Sequence, residues 1–174
     1  MINGNLRVFF ALQPLETVAH KLWALSPPLT QGRRLPWQTL HVTLAFIGEV
    51  DQGQCDQLAA LGDSLSGRAF ELSFEQLRYQ PGRGVLSVVP HQAPFALQAL
   101  ERQLRRRLSE QGFRTDTRAF RPHVSLARRA RLDDIPVTVT PVIWSVDGFC
   151  LMASHMSAQG SRYEVLRRWT LAAA

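Results

Sequence analysis

Cysteine is scarce. The 174 residues hold two, Cys55 and Cys150, far apart and outside any Cys-x-x-Cys pair. That excludes a disulfide-built scaffold and a four-cysteine zinc site, and both read as small core residues in a reducing compartment. Long apolar runs are missing as well. None approaches the roughly 18 residues that a membrane helix needs. The N-terminal stretch over 8–12 is too short for a signal-peptide core and lacks a small-residue cleavage site. The expectation is a cytoplasmic protein with no membrane partner. Gly-x-Ser-x-Gly, a P-loop and a dinucleotide fingerprint are all absent, which removes three common catalytic frameworks. Lysine is nearly absent too: Lys21 stands alone against 19 arginines.

What is present is an ordinary globular balance, 45% hydrophobic and 20% charged, with a net charge of +6. That fits one domain over 1–174. The positive charge is concentrated. Residues 101–131 hold ten arginines against Glu101, Glu110 and Asp116, a local excess of +7. Arginine forks around phosphate oxygens, so an anionic partner such as nucleic acid fits this window. GC-rich codon usage explains an arginine excess equally well, and part of the window reads as a solvated helix face.

The patterning alternates strands and helices. A strand is predicted over 6–12. A helix opens at Pro14, with Leu15, Val18, Leu22 and Leu25 at helical spacing, and stops at Ser26-Pro27-Pro28. A strand follows over 39–47, ended by Gly48. Asp51 caps a helix carrying Cys55, Leu58 and Leu65 inward. Strands over 69–79 and 85–89 flank the turn Gln80-Pro81-Gly82-Arg83-Gly84. A helix over 93–111 carries Leu97, Leu100, Leu104 and Leu108 and ends at Gly112. Further strands are predicted over 120–128, 142–152 and 163–171.

Two segments repeat. His41-Val42-Thr43-Leu44-Ala45 and His123-Val124-Ser125-Leu126-Ala127 lie 82 residues apart. Each follows a helix, and each helix follows an apolar strand. The chain therefore reads as a duplicated strand–helix–strand unit. Strand alternation puts Leu40, Val42, Leu44 and Phe46 on one face and His41, Thr43 and Ala45 on the other. The second copy behaves likewise, with His123 and Ser125 sharing a face. If the lobes face each other, two imidazoles and two hydroxyls converge.

That set suits phosphodiester chemistry. A histidine near its ordinary pKa of about 6.5 serves as base or acid at neutral pH. Hydroxyls donate to the phosphate oxygens where charge gathers. The partners are hydroxyls and not a carboxylate or thiol ligand set, so no metal and no cofactor are expected. Phe9 shares the parity of Arg7 and offers either a ring for a nucleobase or core packing. Trp37 reads as a cleft-mouth residue or a loop anchor. His20, His91 and His155 read as solvated.

These residues resemble the 2H phosphoesterases, in particular the bacterial RNA 2′,3′-cyclic phosphodiesterases, also known as 2′-5′ RNA ligases. The resemblance runs nearly end to end. It is carried by Arg7-Val8-Phe9-Phe10-Ala11, by Leu40 through Val50, by Arg121 through Arg128, and by the closing stretch from Arg162-Tyr163 to Leu171. It implies an α+β bilobal fold with two antiparallel sheets flanking a central cleft and helices outside. It implies His41 as general acid to the 3′ oxygen, His123 as base to water, and Thr43 and Ser125 on the phosphate. The implied substrate is an RNA end or nucleotide bearing a 2′,3′-cyclic phosphate, the product a 2′-phosphomonoester, and the reverse reaction a 2′-5′ joining. Arg128 matches a family position on phosphate or base. Strict alternation turns it away from His123 unless the strand ends or bulges first. A monomer is the default. The competing reading is a non-catalytic RNA or nucleotide-binding module on the same scaffold, which the arginines alone would serve.

Overall fold

A computed structural model of the chain describes residues 5–29, 31–157 and 160–174. The first repeat unit is strand β1 (Leu6–Leu12), helix α1 (Glu16–Ala24), the two-residue strand β2 (Arg33–Arg34), a 3-10 turn at Trp37–Thr39, and strand β3 (Val42–Val50). Helix α2 (Gln52–Asp63) leads to the second unit: β4 (Phe70–Gln80), β5 (Val85–Pro90), α3 (Phe95–Glu110) and β6 (Val124–Arg128). Three long strands close the chain: β7 (Thr138–Val146), β8 (Gly148–Ser157) and β9 (Gly160–Thr170).

The resemblance implies two antiparallel sheets, and here the structure differs. The strands form one curled sheet in the order β7-β4-β5-β6-β3-β1-β8-β9, with β2 on β6. The order is palindromic. β6-β5-β4-β7 on one side repeats β3-β1-β8-β9 on the other, so the duplication is real at the level of topology. The halves join because β3 and β6 pair at Val42 and Val124. Left apart, each would present a bare edge of unsatisfied backbone groups.

Local chemistry explains the elements. Asp51 does cap α2, accepting from Gln54 N at 2.8 Å while the Gln54 side chain accepts from Asp51 N at 3.0 Å. This reciprocal box satisfies two orphan donors at once. The α3 stripe Leu97, Leu100, Leu104 and Leu108 is fully buried. It shares a core with Leu22 of α1, Leu58 of α2 and the inward residues Val8, Phe10, Val42 and Val124 of the strands. Burying each leucine is worth about 1.5–3 kcal/mol. Both cysteines are buried free thiols, as expected of core residues. Burial pushes Cys150 up to about 11, so it carries no thiolate chemistry. No helix of the described residues is long and apolar enough to cross a membrane.

Candidate active site

Both signature histidines sit one residue ahead of their strands, not inside them as the sequence predicts, because β3 starts at Val42 and β6 at Val124. The reason is a local hydrogen bond. His41 Nδ1 donates to the Thr39 carbonyl at 2.8 Å, and His123 Nδ1 to the Arg121 carbonyl at 2.9 Å. A carbonyl only accepts, so in each ring Nδ1 holds the hydrogen, and Nε2 is the nitrogen left for exchange with a partner. The device is the same in both repeats. Antiparallel register around Val42 and Val124 then sets His41 across from Ser125 and His123 across from Thr43. Each hydroxyl thus faces the other repeat's imidazole.

All four side chains line one cleft of about 1100 Å³. Arg128 lines it too, and the reason is a bulge. β5 pairs Ser87 with Ser125 and Leu86 with Ala127, which leaves Leu126 as an extra residue. Alternation slips by one, and Arg128 returns to the side of His123. The first repeat does the same. β1 pairs Ala11 with Thr43 and Phe10 with Ala45, leaving Leu44 extra. Phe46 is therefore carried out of the core, against the predicted face, and lines the cleft at 46% exposure. The Arg7 guanidinium lies 4.8 Å from its ring centre.

Phe9 differs from one of its two readings. It lies on the cleft floor but is 4% exposed. Its ring packs 5.0 Å from His41 and 5.3 Å from Tyr163, and Tyr163 meets His41 edge-on at 5.0 Å. Phe9 backs the histidine and leaves no free face for a base. Exposed ring surface comes instead from Phe46, which alternation had turned to the core, and from half-buried Tyr163, to which the closing-strand match gave no role. Trp37 packs against His20 at 4.4 Å, away from the cleft lining.

The arginine window divides. On α3, Arg105 pairs with buried Glu101, and Arg106 and Arg107 with Glu110. Arg118 is held by Asp116, whose carboxyl it lowers to about 2. Those arginines are paired with the protein's own carboxylates and lie outside the cleft lining. Only the end of the window, Arg128 and Arg129, reaches the cleft, where Arg7, Arg33 and Arg83 join them. No carboxylate lines that cleft among the described residues. Nor do any three His, Cys, Asp or Glu side chains among those residues gather as a metal site.

Burial in this cationic cleft pushes the His41 pKa below the ordinary histidine value, and the charges of His123 and Arg128 lower it further, against the Thr39 hydrogen bond. The linkage follows. Below about pH 6.5 an unfolded His41 binds a proton that the folded one resists. The unfolded state then holds more protons, so stability falls as pH drops from 6.5 toward the folded pKa. A thermal-melt series from pH 7.5 to 5 should show a steeper loss for wild type than for His41→Gln. Equal slopes would refute the burial argument.

The geometry defines a class: two mirrored imidazole–hydroxyl pairs in an arginine-lined cleft. The chain belongs to the 2′-5′ RNA ligase superfamily, which it matches over residues 13–157. It is 31% identical to the RNA 2′,3′-cyclic phosphodiesterase of Escherichia coli (strain K12), covering 95% of this chain and 96% of that one. It is 28% identical to the RNA 2′,3′-cyclic phosphodiesterase of Thermus thermophilus, over 83% and 78% of the two chains. The fold is similar to the crystal structure of E. coli LigT in apo form, with a TM-score of 0.88 at 28% identity over 98% and 99% of the chains. LigT complexed with 3′-AMP matches with a TM-score of 0.86 at 29% identity, over 96% and 98%.

Proposed function

We propose that this protein hydrolyses terminal 2′,3′-cyclic phosphates of RNA to 2′-phosphomonoesters. The observation that carries the reading is the pair of Nδ1-anchored histidines, each opposite the other repeat's hydroxyl. The curated relatives named RNA 2′,3′-cyclic phosphodiesterases support it.

His123 Nε2 takes a proton from water as the water oxygen bonds to phosphorus. The P–O3′ bond breaks, and His41 Nε2–H delivers its proton to the departing 3′ oxygen. The 2′ ester stays. His41 ends neutral and His123 protonated, and exchange with solvent resets them. Thr43 and Ser125 donate to the non-bridging oxygens, and Arg128 balances their charge. The acid must carry a proton when it acts, and a phosphate anion in the cleft opposes the burial and the positive charges that lower the His41 pKa. Phe46 and Tyr163 offer ring faces for the terminal base. Run backwards, the same steps join a cyclic phosphate to a 5′-hydroxyl through a 2′-5′ bond.

The test is a phosphorus NMR time course on a short RNA ending in a 2′,3′-cyclic phosphate, with excess EDTA. The cyclic resonance should give way to a 2′-monophosphate at an undiminished rate. Persistence of the cyclic phosphate while the RNA stays bound would favour the binding-module reading. Loss of turnover in EDTA, restored by a divalent metal, would overturn the metal-free mechanism.

A further inference from the structure

Beyond the two histidines the cleft continues. A smaller recess of about 460 Å³ shares Gln31, Arg83 and Arg129 with it and runs on to Arg131. Arg83, Arg129 and Arg131 are exposed, and none of the three makes an ion pair with a described residue. Asp133 is the one carboxylate among the described residues of the recess wall.

The backbone that carries these arginines is fixed in place. Arg129 is the single non-glycine residue at positive φ among those described, at 51°. That conformation costs about 1–3 kcal/mol and persists only where the surroundings enforce it. They do so from both sides. Ala130 N donates to the Gly84 carbonyl at 2.9 Å, Arg131 N to the Gln31 carbonyl at 3.4 Å, and the Tyr79 hydroxyl to the Ala130 carbonyl at 2.8 Å. Glycines make the approach possible. A Cβ on Gly32 would stand 2.5 Å from the Ala130 Cα, and one on Gly84 3.0 Å from the Arg129 Cα. The turn carrying Arg83 and the segment after β6 are thus pressed together, and all three arginines line one recess.

A mononucleotide cyclic phosphate has one phosphate, and the histidine pair takes it. A strand ending in a cyclic phosphate continues in one direction only, from the 5′ oxygen of its terminal nucleoside. We infer that the Arg83–Arg129–Arg131 recess binds the backbone phosphates of that strand on the 5′ side, so that the cleft selects oligonucleotide ends over mononucleotides. This rests on the reading of the cleft as a cyclic phosphodiesterase site. Arginines on backbone phosphate add affinity without reading sequence, and they make binding fall with salt.

The experiment compares wild type with the triple variant Arg83→Gln, Arg129→Gln, Arg131→Gln, its fold checked by circular dichroism. kcat/KM is measured on a nucleoside 2′,3′-cyclic phosphate and on RNAs of two, three and six nucleotides with the same end. Wild type should gain with length and then level off. Arg131→Gln, at a residue that lines the recess and not the histidine cleft, should keep its rate on the mononucleotide and lose on the hexamer. The triple variant should lose about tenfold or more on the hexamer beyond whatever it loses on the mononucleotide. Its dependence on salt should flatten by about 0.7 in log–log slope for each phosphate that is no longer neutralised. A length gain confined to the strand bearing the cyclic phosphate separates this site from one for an accepting strand. Equal loss on mononucleotide and hexamer, or no loss on either, overturns the recess. Anisotropy of a hexamer ending in a 2′-phosphate gives a second readout independent of turnover. If wild type hydrolyses nothing but the triple variant still binds that hexamer tenfold more weakly, the phosphodiesterase reading fails while the recess survives as a backbone site.

Discussion

Replacing His123 with alanine should lower kcat on a cyclic phosphate by about 10²–10⁴-fold, and His41→Ala should do the same, the range a positioned acid or base contributes. Losing either group stops the same turnover, so the cyclic substrate does not separate their roles. The leaving group does. In the 4-nitrophenyl ester of a 3′-deoxynucleoside 2′-phosphate, the departing phenolate is stable as an anion and needs no proton. His41→Ala should then recover to within about tenfold of wild type, because the acid is no longer required. His123→Ala should stay inactive, because water must still be activated. The reverse pattern would exchange the roles. The lowering of the His41 pKa by burial makes that a sharp test, since an acid must be charged when it acts. Substantial turnover of the cyclic phosphate by both variants would remove acid–base catalysis altogether. Nδ1 anchoring adds a check: His→Gln keeps a donor near the carbonyl but offers no titrating Nε2, and should rescue nothing.

Most of the site was legible because it is local. The two His-x-hydroxyl motifs name their own residues, and the apolar stripes around them fix the faces. What failed was alternation beyond the hydroxyls. Leu44 and Leu126 are extra residues in their ladders, and nothing in Thr-Leu-Ala-Phe or Ser-Leu-Ala-Arg announces a bulge. Parity therefore sent Phe46 to the core and Arg128 away from the cleft, and both were reversed by one inserted residue. The merging of two predicted sheets into one was equally invisible. It rests on Val42 against Val124 and on the short β2 pairing of Arg33 and Arg34 with Arg128 and Ala127, and pairing between distant strands leaves no trace in either strand's own pattern. The arginine window misled for a third reason. Charge counted along the chain does not distinguish Arg105, tied to buried Glu101, from Arg129, which faces the cleft.

Gly62→Ala should destabilise the protein, although the position lies inside α2, where alanine is favoured over glycine by about 0.8–1.0 kcal/mol. Packing decides against propensity. A Cβ at Gly62 would stand 2.5 Å from both Cε2 and Cη2 of Trp169. The indole cannot step aside cheaply. It stacks on Phe149 at 5.0 Å, leans on Phe10 at 5.9 Å, and donates from Nε1 to Asp63 Oδ1 at 2.8 Å. Asp63 is the next residue of the same helix and also receives Arg167 at 2.8 Å, so backing the helix away strains the bonds that hold the ring. Overpacking of this kind costs about 1–3 kcal/mol and occasionally more, which exceeds the propensity gain over most of its range. At about 2–4 °C per kcal/mol for a chain of this length, Tm should fall by several degrees. Turnover at 25 °C should be unchanged, because Trp169 is not on the cleft lining. Trp169→Leu should cost stability alone but soften the effect of Gly62→Ala, giving a coupling above about 0.5 kcal/mol in the double-mutant cycle. A Tm at or above wild type would mean that the ring yields and that helix propensity governs this crossing.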